Sequence, residues 1–574
     1  MVEKATKIFH SRQIATWGLA LFLIALTARI LYLVKFRENP FFNYYPHGFD
    51  QQLILKSTIE IARGNVWGPW SSEKQSAIYK YVLAFPLALF GENFYAVWIW
   101  QFLIGAFTAV LIYLIGQKIF GIIAGIIAGL WYSLYGPAIF FEGQALRESL
   151  YCFLLVLLTH LTTKVEYEKG LPPEKKKINW HIFASISIIA SFAMQTRPTG
   201  LILFFGVLLY LWFIGLKDFQ RQDKIKIISF MKIFFILVSS PLLIRSILMH
   251  GKFVFYDQSG PFVFLLSNLP DYSGVGWNPS PIYHAFIEKA GGENAITWSD
   301  TITRITELWT LFPLSVVTLY LKKVYFFFNG YEYPSNLNYY LFAGYSPLFR
   351  MFWSNLSVLS SFGFCGIILT LKNKEIKHKS AGLYFLFTGL FLSNVIFYPV
   401  DRFRLFHAPF LMLFASYALV KIISYLKERQ IKALMASIIF VSVMIWFLKI
   451  SSNFDSLIRP EDYRNLGRTY VENKSRQNIK KGEYFLYKAW QEWSKKGLTK
   501  NPAGEELGKI ELYLAHEKIK IGDYQGGLCN LKIAELVWGT EEVKKIYSSL
   551  AKDEINLAEI STSKCLETLN HPPQ

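Results

Sequence analysis

Apolar residues run through this chain in blocks about as long as a membrane span, and basic residues punctuate many of the breaks between blocks. A helix needs ~20 apolar residues to cross the hydrocarbon core. Runs of that kind start near Ile14, Tyr95, Gly121, Glu148, His181, Gly200, Ile227, Phe349, Ala381, Phe406 and Ala433, which predicts about eleven transmembrane helices. Lys4, Lys7 and Arg12 precede the first run, so the N-terminus is expected in the cytoplasm. Alternation then places inside the loops that carry Lys118, the run Lys164 to Lys177, Lys217 with Arg221 and Lys224, Lys372 to Lys379, and Lys427 to Lys432. Each basic loop falls on the same side. The stretch Leu308 to Phe328 is apolar enough to span, but it contains Lys322 and Lys323, and counting it would reverse every later loop. It is expected as a helix on the outer interface with its lysines at headgroup level. The outer loops are then residues 35–94, 136–147 and 248–348.

Near Ile450 the pattern turns charged and soluble. The fold class is therefore all-α: a polytopic membrane domain over residues 1–450 and a soluble, extracytoplasmic helical domain over 451–574. Within the tail, Leu466 to Trp493 and Leu512 to Trp538 each carry a Gly-acid-aromatic triplet, Gly482-Glu483-Tyr484 and Gly522-Asp523-Tyr524. A turn of that composition between amphipathic helices resembles tetratricopeptide repeats. Such a tail suits a protein partner or an acceptor.

Composition agrees with membrane burial: 53% hydrophobic, 17% aromatic and only 18% charged residues. The net charge of +19 sits in the punctuation rather than on one face, so it reads as topology signal and not as a nucleic-acid surface. The first apolar run is too long for a signal-peptide core and is expected as an uncleaved span; the localisation expected for the chain is a bacterial inner or plasma membrane. The four cysteines have no metal-ligand spacing. Cys152 and Cys365 lie in apolar runs as small hydrophobes, whereas Cys529 and Cys565 can pair if the tail is extracytoplasmic.

Ionisable residues at the outer ends of spans are costly unless paired or lining a cavity, so they are candidate site residues. Asp50 follows Tyr45-Pro46-His47-Gly48-Phe49 and opens a helix, where it is either an N-cap or a functional acid. Arg29 lies in the outer half of the first span and pairs with an acid or snorkels. Glu142 and Glu148 flank the loop between spans three and four; Glu148 is also a favourable charge at a helix start. Arg402 and Arg404 flank an aromatic at an outer boundary, which suits bidentate phosphate binding. Arg245 and Lys80 are further outer cations. Transfer of a sugar from a lipid phosphate needs a base for the acceptor hydroxyl and positive charge for the departing phosphate. A carboxylate and an arginine pair at membrane depth supply both. A lipid or lipid-linked-sugar transporter is the alternative, although the spans are nearly free of acids.

The motifs in order resemble the GT-C superfamily of membrane glycosyltransferases, in the branch of protein O-mannosyltransferases, aminoarabinose transferases and RgtA/B/C/D-like enzymes. They are Asp50 with Ala62-Arg63-Gly64; Tyr132 to Pro137 ahead of Glu142 and Glu148; Thr196 to Gly200; Pro241 to Arg245; Phe253 to Gly260; Asn268-Leu269-Pro270; and Arg402-Phe403-Arg404 with Pro409. The resemblance implies a GT-C fold and inverting transfer of a hexose or pentose from a polyprenyl-phosphate donor to a glycan, lipid or protein acceptor. It implies Asp50 as the base, with Arg402 and Arg404 facing the donor phosphate. Some relatives carry two adjacent acids in the first loop, but here Gln51 follows Asp50. Certain relatives also place a divalent metal near the phosphate, for which His47, Glu142 and His284 are the available ligands.

Overall fold

A computed structural model describes residues 2–67, 77–167, 178–250, 259–449, 457–473, 478–498, 501–520, 523–547 and 562–570. All regular elements among these are helical. The chain divides into two compact units, one of residues 1–36 and 53–451, the other of residues 37–52 and 452–574.

The first unit begins with α1 (Val2–Phe36), and α2 (Asp50–Ala62) enters it from Leu53 onward. Then come α3 (Ala77–Phe90), α4 (Phe94–Phe120), α5 (Ile122–Ser133), α6 (Gly136–Glu142), α7 (Glu148–Tyr167), α8 (Trp180–Thr196), α9 (Thr199–Tyr210) and α10 (Arg221–His250). Local chemistry sets the breaks. Asn93 caps α4 by accepting from Tyr95 N, and Gly121, at φ +96°, turns the chain into α5. α4 and α5 then pack so closely that a Cβ on Gly125 would lie 2.6 Å from Tyr113 O. Pro137 opens α6, and the α5–α6 pair bends by 51°.

A second group follows: α11 (Gly260–Asn268), α12 (Pro281–Ala290), α13 (Trp298–Leu311) and α14 (Pro313–Phe328). These helices share a small core that includes Leu265, Leu269, Tyr272, Tyr283, Ile305 and Leu319. A reciprocal Thr297–Asp300 capping box starts α13, and the chain bends by 108° at Phe312 before Pro313 starts α14. The stretch expected to lie as one interfacial helix is thus two helices at a sharp angle. Lys322 is exposed as expected, but Lys323 is fully buried. Its Nζ donates to Asn268 Oδ1 at 3.1 Å and Ile396 O at 3.3 Å. Those partners compensate a cation that burial would otherwise leave bare.

The unit closes with α15 (Leu356–Lys372), α16 (Lys374–Lys379), α17 (Ala381–Ile396), α18 (Asp401–Arg404), α19 (Ala408–Lys427) and α20 (Ile431–Leu448). α19 is central, with Ala408 to Ala418 buried throughout. α10 and α20 instead leave apolar side chains bare, among them Ile233, Ile236, Leu237, Ile439, Val443 and Trp446. Bare apolar faces on long helices are what lipid solvates.

Among the described residues, six helices are long and apolar enough to cross a membrane, or up to eight if each bent pair is one span. Ile78–Phe90, Thr199–Gly215, Leu356–Lys372 and Ala381–Ile396 are apolar but shorter. Each apolar run read from the sequence overlaps a helix, but the run from Gly121 is split between α5 and α6, and the run from Phe349 becomes α-helical only at Leu356. Together these features make the chain an integral membrane protein.

The second unit holds α21 (Pro460–Glu472), α22 (Ile479–Ser494), α23 (Pro502–Lys520), α24 (Tyr524–Trp538), α25 (Thr540–Tyr547) and α26 (Thr562–Asn570). α21 packs on α22 and α23 on α24. Cys529 on α24 and Cys565 on α26 form a disulfide across 36 residues. The two triplets differ in structure. Asp523 caps α24 by accepting from Gly526 N, but Gly482 and Glu483 are buried inside α22. A side chain on Gly482 would run into Val471, so that glycine serves a close helix crossing rather than a turn.

Candidate functional site

Two buried ion pairs organise the middle of the first unit. Arg29 on α1 reaches across to Glu142 at the end of α6. Its Nε pairs with Oε2, and its Nη2 donates to Oε1 at 2.9 Å. Arg29 also donates to Ala25 O and Ser133 O, each at 3.0 Å. Room for the carboxylate comes from Gly105 on α4, where a Cβ would collide with Glu142. The loop after Glu142 is held from the same side: Gln101 donates to the carbonyls of Glu142 and Gln144 at 3.0 and 2.8 Å. The second pair joins Glu148, at the start of α7, to Arg197, just past the end of α8. The guanidinium of Arg197 lies 4.7 Å from the Phe403 ring centre and 4.9 Å from that of Phe406.

The Arg402-Phe403-Arg404 motif forms α18, and its two arginines have different surroundings. Arg404 is fully buried. It donates to Phe326 O at 2.9 Å, Tyr331 O at 2.6 Å and Asn329 O at 2.9 Å, and Glu332 lies 3.5 Å away. It therefore clamps the backbone that follows α14. Arg402 is half-buried, and its guanidinium lies 5.2 Å from the centre of the Phe403 ring, which Arg197 also approaches.

Sequence reasoning missed Glu332 and did not single out Asp401, and both are buried here. Asp401 accepts from Arg402 N at 2.7 Å and Ser335 Oγ at 3.2 Å. Its own N–H donates to Tyr333 O at 3.0 Å, which ties the two segments together. Burial pushes the Glu332 carboxyl above its usual range, with Arg404 opposing. A signal for Glu332 was present: it is the only acid between Glu307 and Glu375.

Arg245 on α10 donates to Trp67 O at 2.9 Å, and Lys80 is buried on α3. Most of Phe253 to Gly260 lies outside the described residues.

Asp50 belongs to the second unit. It is half-buried in the first turn of α2, where the helix dipole favours a negative charge. The preceding residues turn at Gly48, with φ +97°, and Phe49 N donates to Pro46 O at 3.3 Å. Of the candidate metal ligands, Glu142 is committed to Arg29, while His47 and His284 are exposed. No group of three or more His, Cys, Asp and Glu among the described residues is arranged to hold a metal, so no step is assigned to one.

Residues 74–244 match the family model described as dolichyl-phosphate-mannose-protein mannosyltransferase. No curated protein matches the chain in sequence. Among solved structures, it is loosely similar to the apo oligosaccharyltransferase of Archaeoglobus fulgidus, with 14% identity and a TM-score of 0.46 over 82% of this chain and 59% of that one. It is also loosely similar to ArnT from Cupriavidus metallidurans bound to undecaprenyl phosphate, with 11% identity and a TM-score of 0.43 over 97% and 85% of the two chains. The chain spans 59% of the length of the archaeal enzyme. Over the matched stretch, which holds Glu142, Glu148 and Arg197, the family match supports the likeness to GT-C membrane glycosyltransferases carried by the sequence motifs.

Proposed function

We propose that the chain is a membrane glycosyltransferase that moves a single sugar from a polyprenyl-phosphate donor to an acceptor hydroxyl on the extracytoplasmic face. The observation that carries this reading is the family match over residues 74–244. In this reading Asp50 takes the proton of the acceptor hydroxyl as its oxygen attacks the anomeric carbon. The bond from that carbon to the phosphate oxygen breaks, and its electron pair leaves with the polyprenyl phosphate. Attack on the face opposite the departing phosphate inverts the anomeric centre. Arg402, the half-buried arginine of its motif, stabilises the phosphate charge; Arg245 and Lys80 add to the positive field. Glu142, Glu148, Arg29 and Arg197 hold the bundle in register through their two pairs, and Arg404 holds the segment after α14. The disulfide-bonded tail supports an oxidising, extracytoplasmic location for the second unit.

The test uses the full chain in lipid with a panel of labelled polyprenyl-phosphate monosaccharides, scoring sugar release and transfer. A folded Asp50→Asn variant is expected to lose on the order of 10²–10⁴-fold in rate. Undiminished turnover in that variant overturns Asp50 as the base. Movement of donor across vesicles without any transfer overturns the enzyme reading in favour of a transporter.

A further inference from the structure

We infer that the C-terminal unit is part of the catalytic apparatus: Asn473 and Glu472, at the end of α21, are positioning residues for Asp50. This rests on the reading of Asp50 as the base.

The segment that leads to Asp50, residues 37–52, is compact with the tail rather than with the long helices around it in sequence. Its first anchor is Asn473, which is buried. The Asn473 amide donates to Pro40 O at 3.0 Å and to Asn43 Oδ1 at 3.1 Å. The second anchor is Glu472, which accepts from Tyr44 Oη at 2.8 Å. Glu472 is itself steadied by Arg468 Nε at 3.0 Å. Burial and the Glu472 contact push the Tyr44 phenol up to about 12, so it remains a hydrogen-bond donor across the physiological range.

These anchors reach Asp50 through packing. Phe41, next to the anchored Pro40, has no exposed surface. Its ring lies 6.0 Å from Tyr45 and 6.5 Å from Phe49. Phe49 is the residue before Asp50, and the Gly48 turn sets the angle at which α2 departs. A loop of this length without such anchors would sample many backbone states, and a base misplaced by about 1 Å loses much of its effect. The tail thus aims the base, and its function is not confined to binding a partner.

The experiment measures kcat and KM for the polyprenyl-phosphate donor in the full chain. Tyr44→Phe removes one hydroxyl and keeps the ring, so it leaves the fold intact. Asn473→Ala removes both amide bonds. Both are expected to lower kcat, by about 3-fold and about 10-fold or more respectively, with donor KM within about twofold of wild type. Neither is expected to worsen an Asp50→Asn background, because an absent base cannot be aimed. Wild-type kcat in both variants, with Asp50→Asn inactive, overturns this inference alone. Full activity of Asp50→Asn overturns the base assignment beneath it. A loss in Asn473→Ala accompanied by lost hydrogen-exchange protection across α22 to α24, with Tyr44→Phe normal, marks a folding defect and also overturns the inference.

Discussion

Glu142 is a carboxylate singled out in the sequence that the fold buries against a guanidinium. It sits at the end of a short helix beside Arg29 and Tyr132, fully buried, and its backbone carbonyl accepts from the Gln101 side chain. Removing one partner of such a pair leaves an uncompensated buried charge, which costs about 3–5 kcal/mol, whereas replacing both partners with apolar groups is often neutral. Glu142→Gln and Gly105→Ala should therefore each lower the unfolding midpoint in lipid nanodiscs markedly. The double replacement Arg29→Met with Glu142→Leu should recover most of the loss. Equal destabilisation by the double replacement would show that the pair contributes through its charges after all. Arg402 and Arg404 make a similar point. The sequence presents two equivalent cations, and only packing distinguishes the clamp from the half-exposed one.

The helices themselves were legible because their apolar runs are long and their basic breaks are regular. The breaks within runs were less so. Gly121 is a plain stop signal, but the 108° bend at Phe312 depends on Pro313 and on a local core that no single window reveals. α3 escaped notice because its 14 residues are too few for a span and sit in an expected loop. In the tail, a Gly-acid-aromatic triplet read as a turn is helical at Gly482, because a neighbouring helix needs the space.

Within that same tail, Glu483 and Glu511 are buried, and burial pushes their carboxyls up to about 7 and about 8. Lys518 opposes both shifts, Lys480 opposes that of Glu483, and an Asn530 hydrogen bond opposes that of Glu511. An acid whose folded pKa is raised binds its proton more tightly when folded. The stabilisation is complete below the unfolded value near 4.5 and is lost as the pH rises through about 7 to 8. Hydrogen-exchange protection of α22 to α24, corrected for intrinsic rate, should therefore fall between pH 6 and pH 9 by on the order of 3 kcal/mol. Glu511→Gln should flatten that dependence, and an unchanged slope would show that Glu511 does not contribute to it.

At the scale of the molecule, the change of composition near Ile450 does not announce that residues 37–52 are compact with the polar tail. No local pattern announces a partnership between positions more than 400 residues apart, such as Tyr44 and Glu472. The disulfide also belongs to this scale, because it reports the compartment. In cells, alkylation before reduction should leave Cys529 and Cys565 unmodified after denaturation, while Cys152 and Cys365 react. Labelling of all four would place the tail in a reducing compartment. The bond closes a loop of 36 residues, for which the chain-entropy model gives about 3–4 kcal/mol.

The Arg29–Glu142 pair has a consequence for inheritance. The carboxylate fits only because position 105 has no side chain, and the guanidinium is tolerable only because the carboxylate is there. Substitutions at 29, 105 and 142 are therefore not independent steps for a drifting lineage. A change at 29 or 142 is expected to need a matching change at the other, and a side chain at 105 is expected only once Glu142 is gone.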